Sequence, residues 1–193
     1  MISGIVLAAG RSSRMGQPKM LLPWGQTTVL GQVIESVRQA GIYDILVITG
    51  GARESVENIA AQLDARTAYN EGYETSEMLS SIRLGLENQI SQAQAALICL
   101  GDQPQIQPRN IRSICDAFIK DKFNLVVPSY KLRRGHPWLV ARPLWDELIQ
   151  LQPSKSPRDF LNAHAQEIKY VAVDDPSIIE DLDTPEDYLK SKP

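Results

Sequence analysis

"GIVLAAGRSSRMGQPKMLLPWG", residues 4–25, sets a short β-branched run directly before a loop that holds three glycines, two arginines and a lysine. In an open parallel sheet, ligands bind beyond the carboxyl ends of the strands, and the first strand-to-helix loop is the usual phosphate cradle. The stretch has that order. It matches neither common phosphate motif: Gly10 and Gly16 do not form G-x-G-x-x-G, and no Gly-Lys-Ser/Thr follows at P-loop spacing. What remains is a Gly-rich turn whose backbone N–H groups can approach a nucleotide, with Arg11, Arg14 and Lys19 to answer phosphate charge. The same residues alone also describe a solvated basic loop that uses glycine to turn.

Outward from this stretch, apolar runs alternate with amphipathic segments. Residues 4–8, 44–50, 96–102 and 123–129 read as buried strands, and 167–173 as a further one. Helices are expected at 29–40, 53–63, 78–88, 109–120, 143–150 and 157–165. The first should stop at Gly41, and Ser156-Pro157 supplies a cap and first helical position. Thr184-Pro185 opens a last short helix in the same way. The pattern predicts an α/β chain: a single domain over 1–193, Rossmann-like, with a mostly parallel twisted sheet and helices on both faces. Residues 129–142, "SYKLRRGHPWLVAR", break the rhythm. Basic, aromatic and punctuated by Gly and Pro, they read as a flap or added antiparallel ribbon facing substrate.

At 193 residues, 43% of them hydrophobic, the chain can bury a sizeable core, which sets aside disordered and fibrous classes. Twenty basic against 23 acidic residues, without a run of one sign, point away from nucleic acid and membrane surfaces and toward small partners. Cys99 and Cys115 are too few and too dispersed for a disulfide framework or structural zinc. No apolar run approaches the roughly 20 residues of a membrane span, and Met1–Gly4 lacks a secretory pattern, so a cytoplasmic location is expected.

Three further stretches carry candidate chemistry. In "LICLGDQPQI", Asp102 follows an apolar strand, where a carboxylate can hold Mg²⁺ or simply cap a turn. In "IIEDLDTPEDY", Asp181 and Asp183 stand two apart and so share a side if extended, although an acidic tail before a helix is equally ordinary. In "YNEGYETSEMLSSIRLGL" (69–86), Asn70, Ser80 and Ser81 beside Gly72 can read a base edge and ribose, or form an Asx-turn and cap a helix. His136 in "RRGHPW" (133–138) is by itself more often a structural histidine. His164, inside an expected helix, carries no assigned role.

These motifs share a resemblance. Leu7-Ala8-Ala9-Gly10-Arg11-Ser12-Ser13-Arg14-Met15-Gly16 followed by Lys19, then Gly-Asp-Gln-Pro, Arg-Gly-His-Pro and Asp-Leu-Asp-Thr-Pro-Glu-Asp, resemble the nucleotidyltransferase family that includes the enzymes of molybdenum cofactor maturation. The resemblance spans residues 4 to about 188 and implies a fold like that of the nucleotide-diphospho-sugar transferases. It further implies that Leu7, Ala8, Ala9, Gly10, Arg11, Ser12 and Lys19, with Asn70, Ser80 and Ser81, wrap a nucleoside triphosphate. Arg14 and Lys19 would then stabilise the phosphates and leaving group, Asp102 and Asp183 hold Mg²⁺ with Asp181 as the other choice for the second ligand, and Arg133, Arg134, Gly135 and His136 face a pterin phosphate acceptor. Cytidylyltransferases of this group resemble the chain in Leu-Ala-Ala-Gly where guanylyltransferases have Leu-Ala-Gly-Gly. Ala9 thus implies CTP, a Cβ there crowding a purine, although sugar nucleotidyltransferases using other bases share Ala-Ala-Gly. The implied partners are CTP, the pterin acceptor and an apo-molybdoenzyme or its chaperone. The rivals are a guanylyl- or sugar-phosphate nucleotidyltransferase and, from another class, a non-catalytic cofactor carrier, which would dispense with the metal carboxylates.

Overall fold

The computed structural model describes residues 1–10, 12, 15–74 and 78–193. In chain order the strands are β1 (Ile2–Ala8), β2 (Pro23–Trp24), β3 (Thr27–Thr28), β4 (Ile45–Thr49), β5 (Arg66–Tyr69), β6 (Ala95–Leu100), β7 (Leu125–Tyr130), β8 (Arg133–Arg134), β9 (Trp138–Ala141) and β10 (Ile168–Ala172). The helices are α1 (Val29–Gln39), α2 (Arg53–Gln62), α3 (Met78–Glu87), α4 (Pro108–Asp121), α5 (Trp145–Ile149), α6 (Pro157–Ala163) and α7 (Pro185–Ser191). The main sheet runs β10-β7-β9-β6-β1-β4-β5, with β8 paired to β7, while β2 and β3 form a separate small ribbon. β1 lies parallel between β4 and β6, and this central position buries the apolar run of the opening stretch on both sides.

Alternation along β1 divides the core. Val6 and Ala8 join Leu30, Val33, Ile34 and Ile111 on the face covered by α1, α2 and α4. Ile5, Leu7 and Ala9 join Leu79, Ile82, Trp145 and Phe160 on the face covered by α3, α5 and α6. The period of two in a strand is what separates Ala8 from Leu7 and Ala9. Helix ends follow the local chemistry. Gly41 sits at φ +95° with its N–H on Arg38 O at 2.9 Å, and Ser156 and Thr184 each form a reciprocal capping box with an aspartate three residues on.

Two expectations need correction. The helix expected at 143–150 is a 3₁₀ turn at Arg142–Leu144 followed by the short α5. The 129–142 stretch is not one peripheral feature. Residues 131 and 132, both at positive φ, make the tight turn from β7 to β8, but β9 enters the sheet antiparallel between β6 and β7. Four consecutive buried residues, Trp-Leu-Val-Ala, make β9 an interior strand, and the flap-like part ends at Pro137. Among the described residues no helix is long and apolar enough to cross a membrane. Cys99 and Cys115 are buried free thiols, and burial pushes Cys115 up to about 12, so neither is a thiolate near neutral pH.

Candidate active site

The carboxyl ends of β1, β5 and β6 open onto a cleft of about 310 Å³, whose lining includes Leu7, Ala9, Gly10, Lys19, Asn70 and Asp102. The ends of β1 and β4 approach closely. A Cβ on Gly50, just past β4, would come within 2.4 Å of Ala9 O and 2.9 Å of the Ala9 Cβ, so the methyl of Ala9 occupies the space that Gly50 leaves.

Asp102 lies in the turn after β6, where the chain from 180 to 183 is strapped against it. Gln105 Nε2 donates to Glu180 O, Gln103 Nε2 to Asp181 Oδ1 at 2.8 Å, and Leu182 N to Asp102 O at 3.2 Å. Leu182, 1% exposed, packs with Met15, Leu22, Trp24 and Val29, and Tyr188 donates its hydroxyl proton to Pro23 O at 2.6 Å. These contacts bring Asp102, Asp181 and Asp183 to one cleft although 79 residues separate the first from the second.

Lys19 stands among them. Its ammonium donates to Asp102, to Asp183 Oδ1 at 3.5 Å and to Leu182 O at 3.3 Å, while its backbone N–H is held by Ser12 Oγ at 3.0 Å. Desolvation by the cleft wall, then the charge of Asp102, raises the Asp181 carboxyl above its ordinary value. The hydrogen bond from Gln103 works in the opposite direction, and Asp183 adds to the rise.

The 70–81 segment resolves toward internal bonding. Asn70 Nδ2 donates to Ser80 Oγ at 2.9 Å and Ser81 Oγ at 3.0 Å, and Asn70 Oδ1 accepts from Gly72 N at 3.1 Å, which is an Asx-turn. Asn70 and Ser81 still line the cleft, with Tyr73 and Met78 beside them. Ala8 differs from its neighbours: its side chain points into the opposite core, so only its backbone can serve a ligand. Arg11 and Arg14 lie outside the described residues, as do Ser13 and residues 75–77.

Met78 also borders a second, larger cavity of about 870 Å³. One wall carries Arg133, Arg134, Gly135 and His136, another Ser156, Arg158 and Asn162, and Trp138 and Leu161 close it from the core side. A Cβ on Gly135 would meet Ile178 O at 2.3 Å, and His136 N donates to the same oxygen at 2.8 Å. The strap that carries Asp181 and Asp183 thus also supports this wall. Burial pushes His136 down to about 4, so its imidazole is neutral at neutral pH. Trp138 is 1% exposed, and its ring is a floor rather than an open stacking face. His164 belongs to neither cavity. Burial lowers it, but hydrogen bonds and charge from Glu147 and Glu167, at 2.9 and 3.3 Å, leave it raised overall.

Residues 4–168 match the model of the MobA-like NTP transferase domain. The chain belongs to this family. It is a nucleotidyltransferase, and the matched region includes the glycine-rich first loop, Asp102 and the Arg-Gly-His-Pro wall. The molybdenum cofactor cytidylyltransferase of Escherichia coli K12 is 31% identical over 99% of this chain and 95% of its own. A crystal structure of Rv0371c from Mycobacterium tuberculosis H37Rv superposes with a TM-score of 0.84 at 34% identity, covering 98% of this chain and 96% of that one. A second crystal structure of Rv0371c, described as a complex with manganese, has a TM-score of 0.82 at 32% identity with the same coverage. The nicotine blue oxidoreductase of Paenarthrobacter nicotinovorans is 24% identical over 96% of this chain and 93% of its own.

The C-terminal strap lies beyond the matched region, yet it brings two of the three cleft carboxylates. Sequence reasoning passed over Gln103, although it follows Asp102 directly, because a glutamine announces no chemistry until its partner Asp181 is known. Arg158 and Asn162 escaped for a related reason: they sit on a helix that reads as ordinary amphipathic structure.

Proposed function

We propose that this MobA-like nucleotidyltransferase transfers a cytidylyl group from CTP to the terminal phosphate of a molybdopterin-type acceptor, with Mg²⁺ and release of pyrophosphate. The observation that carries the reading is the meeting, at Met78, of a carboxylate-and-lysine cleft with an arginine-walled cavity. One is suited to a metal-bound triphosphate and the other to an anionic acceptor. The likeness to the E. coli cytidylyltransferase supports the choice of acceptor, and the Ala9 methyl at the strand end supports a pyrimidine.

The donor set of the cleft fits a hard dication. It consists of carboxylate oxygens, and three carboxylates stand against the single ammonium of Lys19 among the described residues. Asp102 and Asp183 would hold Mg²⁺, which when bound neutralises phosphate charge at the reacting centre. Gln103 keeps Asp181 oriented beside them.

The chain's own residues then position and neutralise. Lys19, fixed at its backbone by Ser12, can turn its ammonium from the carboxylates to the triphosphate and stabilise the departing pyrophosphate. Leu7, Ala9 and Gly10 form the floor on which the nucleotide lies, and Asn70 and Ser81 border it. An oxygen of the acceptor's terminal phosphate attacks the α-phosphorus in line, and the bond to the β-phosphate oxygen breaks. An ionised phosphate needs no proton removed. The neutral His136 therefore orients the acceptor through its ring nitrogens and does no acid–base work.

The test is pyrophosphate release from each of the four common nucleoside triphosphates, with and without molybdopterin and with Mg²⁺ present or chelated. Release with CTP that requires both molybdopterin and Mg²⁺ is the expected result. Turnover with GTP or with a sugar 1-phosphate would move the chain to another member reaction of the family, and binding without turnover would make it a carrier.

A further inference from the structure

Among the described residues, the lining of the arginine-walled cavity carries three guanidinium groups and no Asp or Glu. In a chain of formal net charge -3, this concave face reverses the local sign. The three arginines are not equivalent. Arg134 donates from Nε to the Tyr170 hydroxyl at 2.9 Å and from a terminal nitrogen to Asn162 Oδ1 at 2.7 Å, and its guanidinium lies 5.7 Å from the Tyr170 ring. Those contacts tie β8 to β10 and α6, engage Nε and one terminal nitrogen, and fix the direction of the guanidinium. The side chains of Arg133, on β8, and Arg158, in the first turn of α6, make no hydrogen bond and no ion pair with another described residue, their backbones being engaged in the β7–β8 ladder and in the helix. The carboxylate next to Arg158, that of Asp159, is turned to cap its own helix and accepts from Ser156 N and Ser156 Oγ, both at 2.8 Å.

We propose that Arg133 and Arg158 together form the clamp that recognises the acceptor's phosphate or an equivalent oxyanion, with Arg158 determining specificity and Arg134 shaping the wall. The proposal rests on reading this cavity as the acceptor site. Its chemistry asks for a ligand with an anionic end and an uncharged body. Two guanidiniums from separate walls can each bind one oxyanion through paired N–H donors, while Leu161, Met78 and the neutral His136 add no charge to compete. A ligand without the anionic end leaves both arginines solvated and gains nothing from them, which is how the pair would select its substrate.

The experiment compares two pterin probes of one ring system, anionic 6-carboxypterin and neutral 6-hydroxymethylpterin, by fluorescence titration. The proteins are the wild type, Arg133→Ala, Arg158→Ala, Arg158→Lys and Arg134→Ala, each titrated also with CTP and followed in thermal melts. Arg133→Ala and Arg158→Ala should each weaken the anionic probe by at least about tenfold, leave the neutral probe and CTP within about twofold, and melt like wild type. Arg158→Lys should recover part of the loss. Arg134→Ala should lower the melting temperature and weaken both probes alike. The clamp is overturned if the wild type does not prefer the anionic probe, or if Arg158→Ala binds it as well as wild type. Failure of the functional reading is seen separately: charge-dependent probe binding with no molybdopterin turnover would keep the clamp and reject the acceptor. Turnover with an unchanged KM for molybdopterin in Arg158→Ala would keep the acceptor and reject the clamp.

Discussion

The two concave regions that meet at Met78 are built in opposite ways. The smaller cleft gathers three carboxylates and one lysine, and nearly every polar group described there is held by another: Lys19 by Asp102, Asp181 by Gln103, Asn70 by Ser80 and Ser81. The larger cavity gathers arginines around apolar side chains, and two of its three guanidiniums make no hydrogen bond or ion pair with another described residue. On the proposed reading the triphosphate brings its own cation, so the smaller cleft can be anionic and pre-organised, whereas an acceptor phosphate arriving without one would find its positive charge on the protein. The opposite signs would then bring two anions together, each neutralised from its own side.

The largest effect that could break this contrast comes from Asp102→Asn, which keeps shape but removes a charge from the carboxylate group. Turnover should fall by about two orders of magnitude or more in a protein whose melting temperature is unchanged. Near-normal kcat in the folded variant would show that the cleft's negative charge is not used for a metal.

Gln103→Leu removes the donor that orients Asp181 while filling the same space. Because Asp181 stands beside the two proposed ligands, the expected result is an increase of a few-fold in the Mg²⁺ concentration giving half-maximal activity, with kcat at saturating Mg²⁺ less affected; an increase of about 10- to 100-fold would make Asp181 itself a ligand. A fall in kcat at unchanged Mg²⁺ dependence would place Gln103 on the nucleotide instead.

The cavity side is sharpened by acid. His136 has a folded-state pKa of about 4 against an ordinary value of 6.5, so the unfolded chain binds the extra proton first. Its contribution is fully present above pH 6.5 and is lost as pH falls toward 4. Between pH 7 and pH 5 the wild type should lose about 2 kcal/mol from this group, a factor of about 20 in the folding equilibrium. His136→Gln should flatten that part of the curve when stability is measured by denaturant titration at each pH. An unchanged slope would mean that the imidazole is solvated in the folded protein.

The smallest effect concerns the base. Ala9→Gly removes a methyl that packs toward Gly50, and the ratio of kcat/KM for CTP over GTP should fall by a few-fold, the order of one methyl group in a pocket. An unchanged ratio would assign base choice to the 70–81 segment.

Much of this arrangement can be read along the chain. The β-branched run at 4–8, the left-handed stop at Gly41 and the Ser-Pro and Thr-Pro helix starts are local choices, made by backbone sterics and by hydrogen bonds three residues apart. Trp138–Ala141 was harder. An apolar run of four is compatible with an edge ribbon or an interior strand, and only pairing with β6 and β7 on either side decides between them. Asn70 illustrates the same limit in the site, because its amide suits a base edge and an Asx-turn equally until Gly72 and the two serines are in place.

By itself, then, the sequence determined the α/β alternation, the position of the first loop at a strand's carboxyl end, and the residue types able to meet phosphate and metal, since each depends on periodicity or on chemistry carried within a few residues. Tertiary structure alone decided that Asp181 and Asp183 face Asp102 and Lys19, that Gln103 holds one of them, and that Arg134 is committed while Arg133 and Arg158 are not. The reason is physical: charge and donor type are properties of one residue, but whether a group is satisfied, and by what, is a property of pairs that only the folding of distant segments onto one another creates.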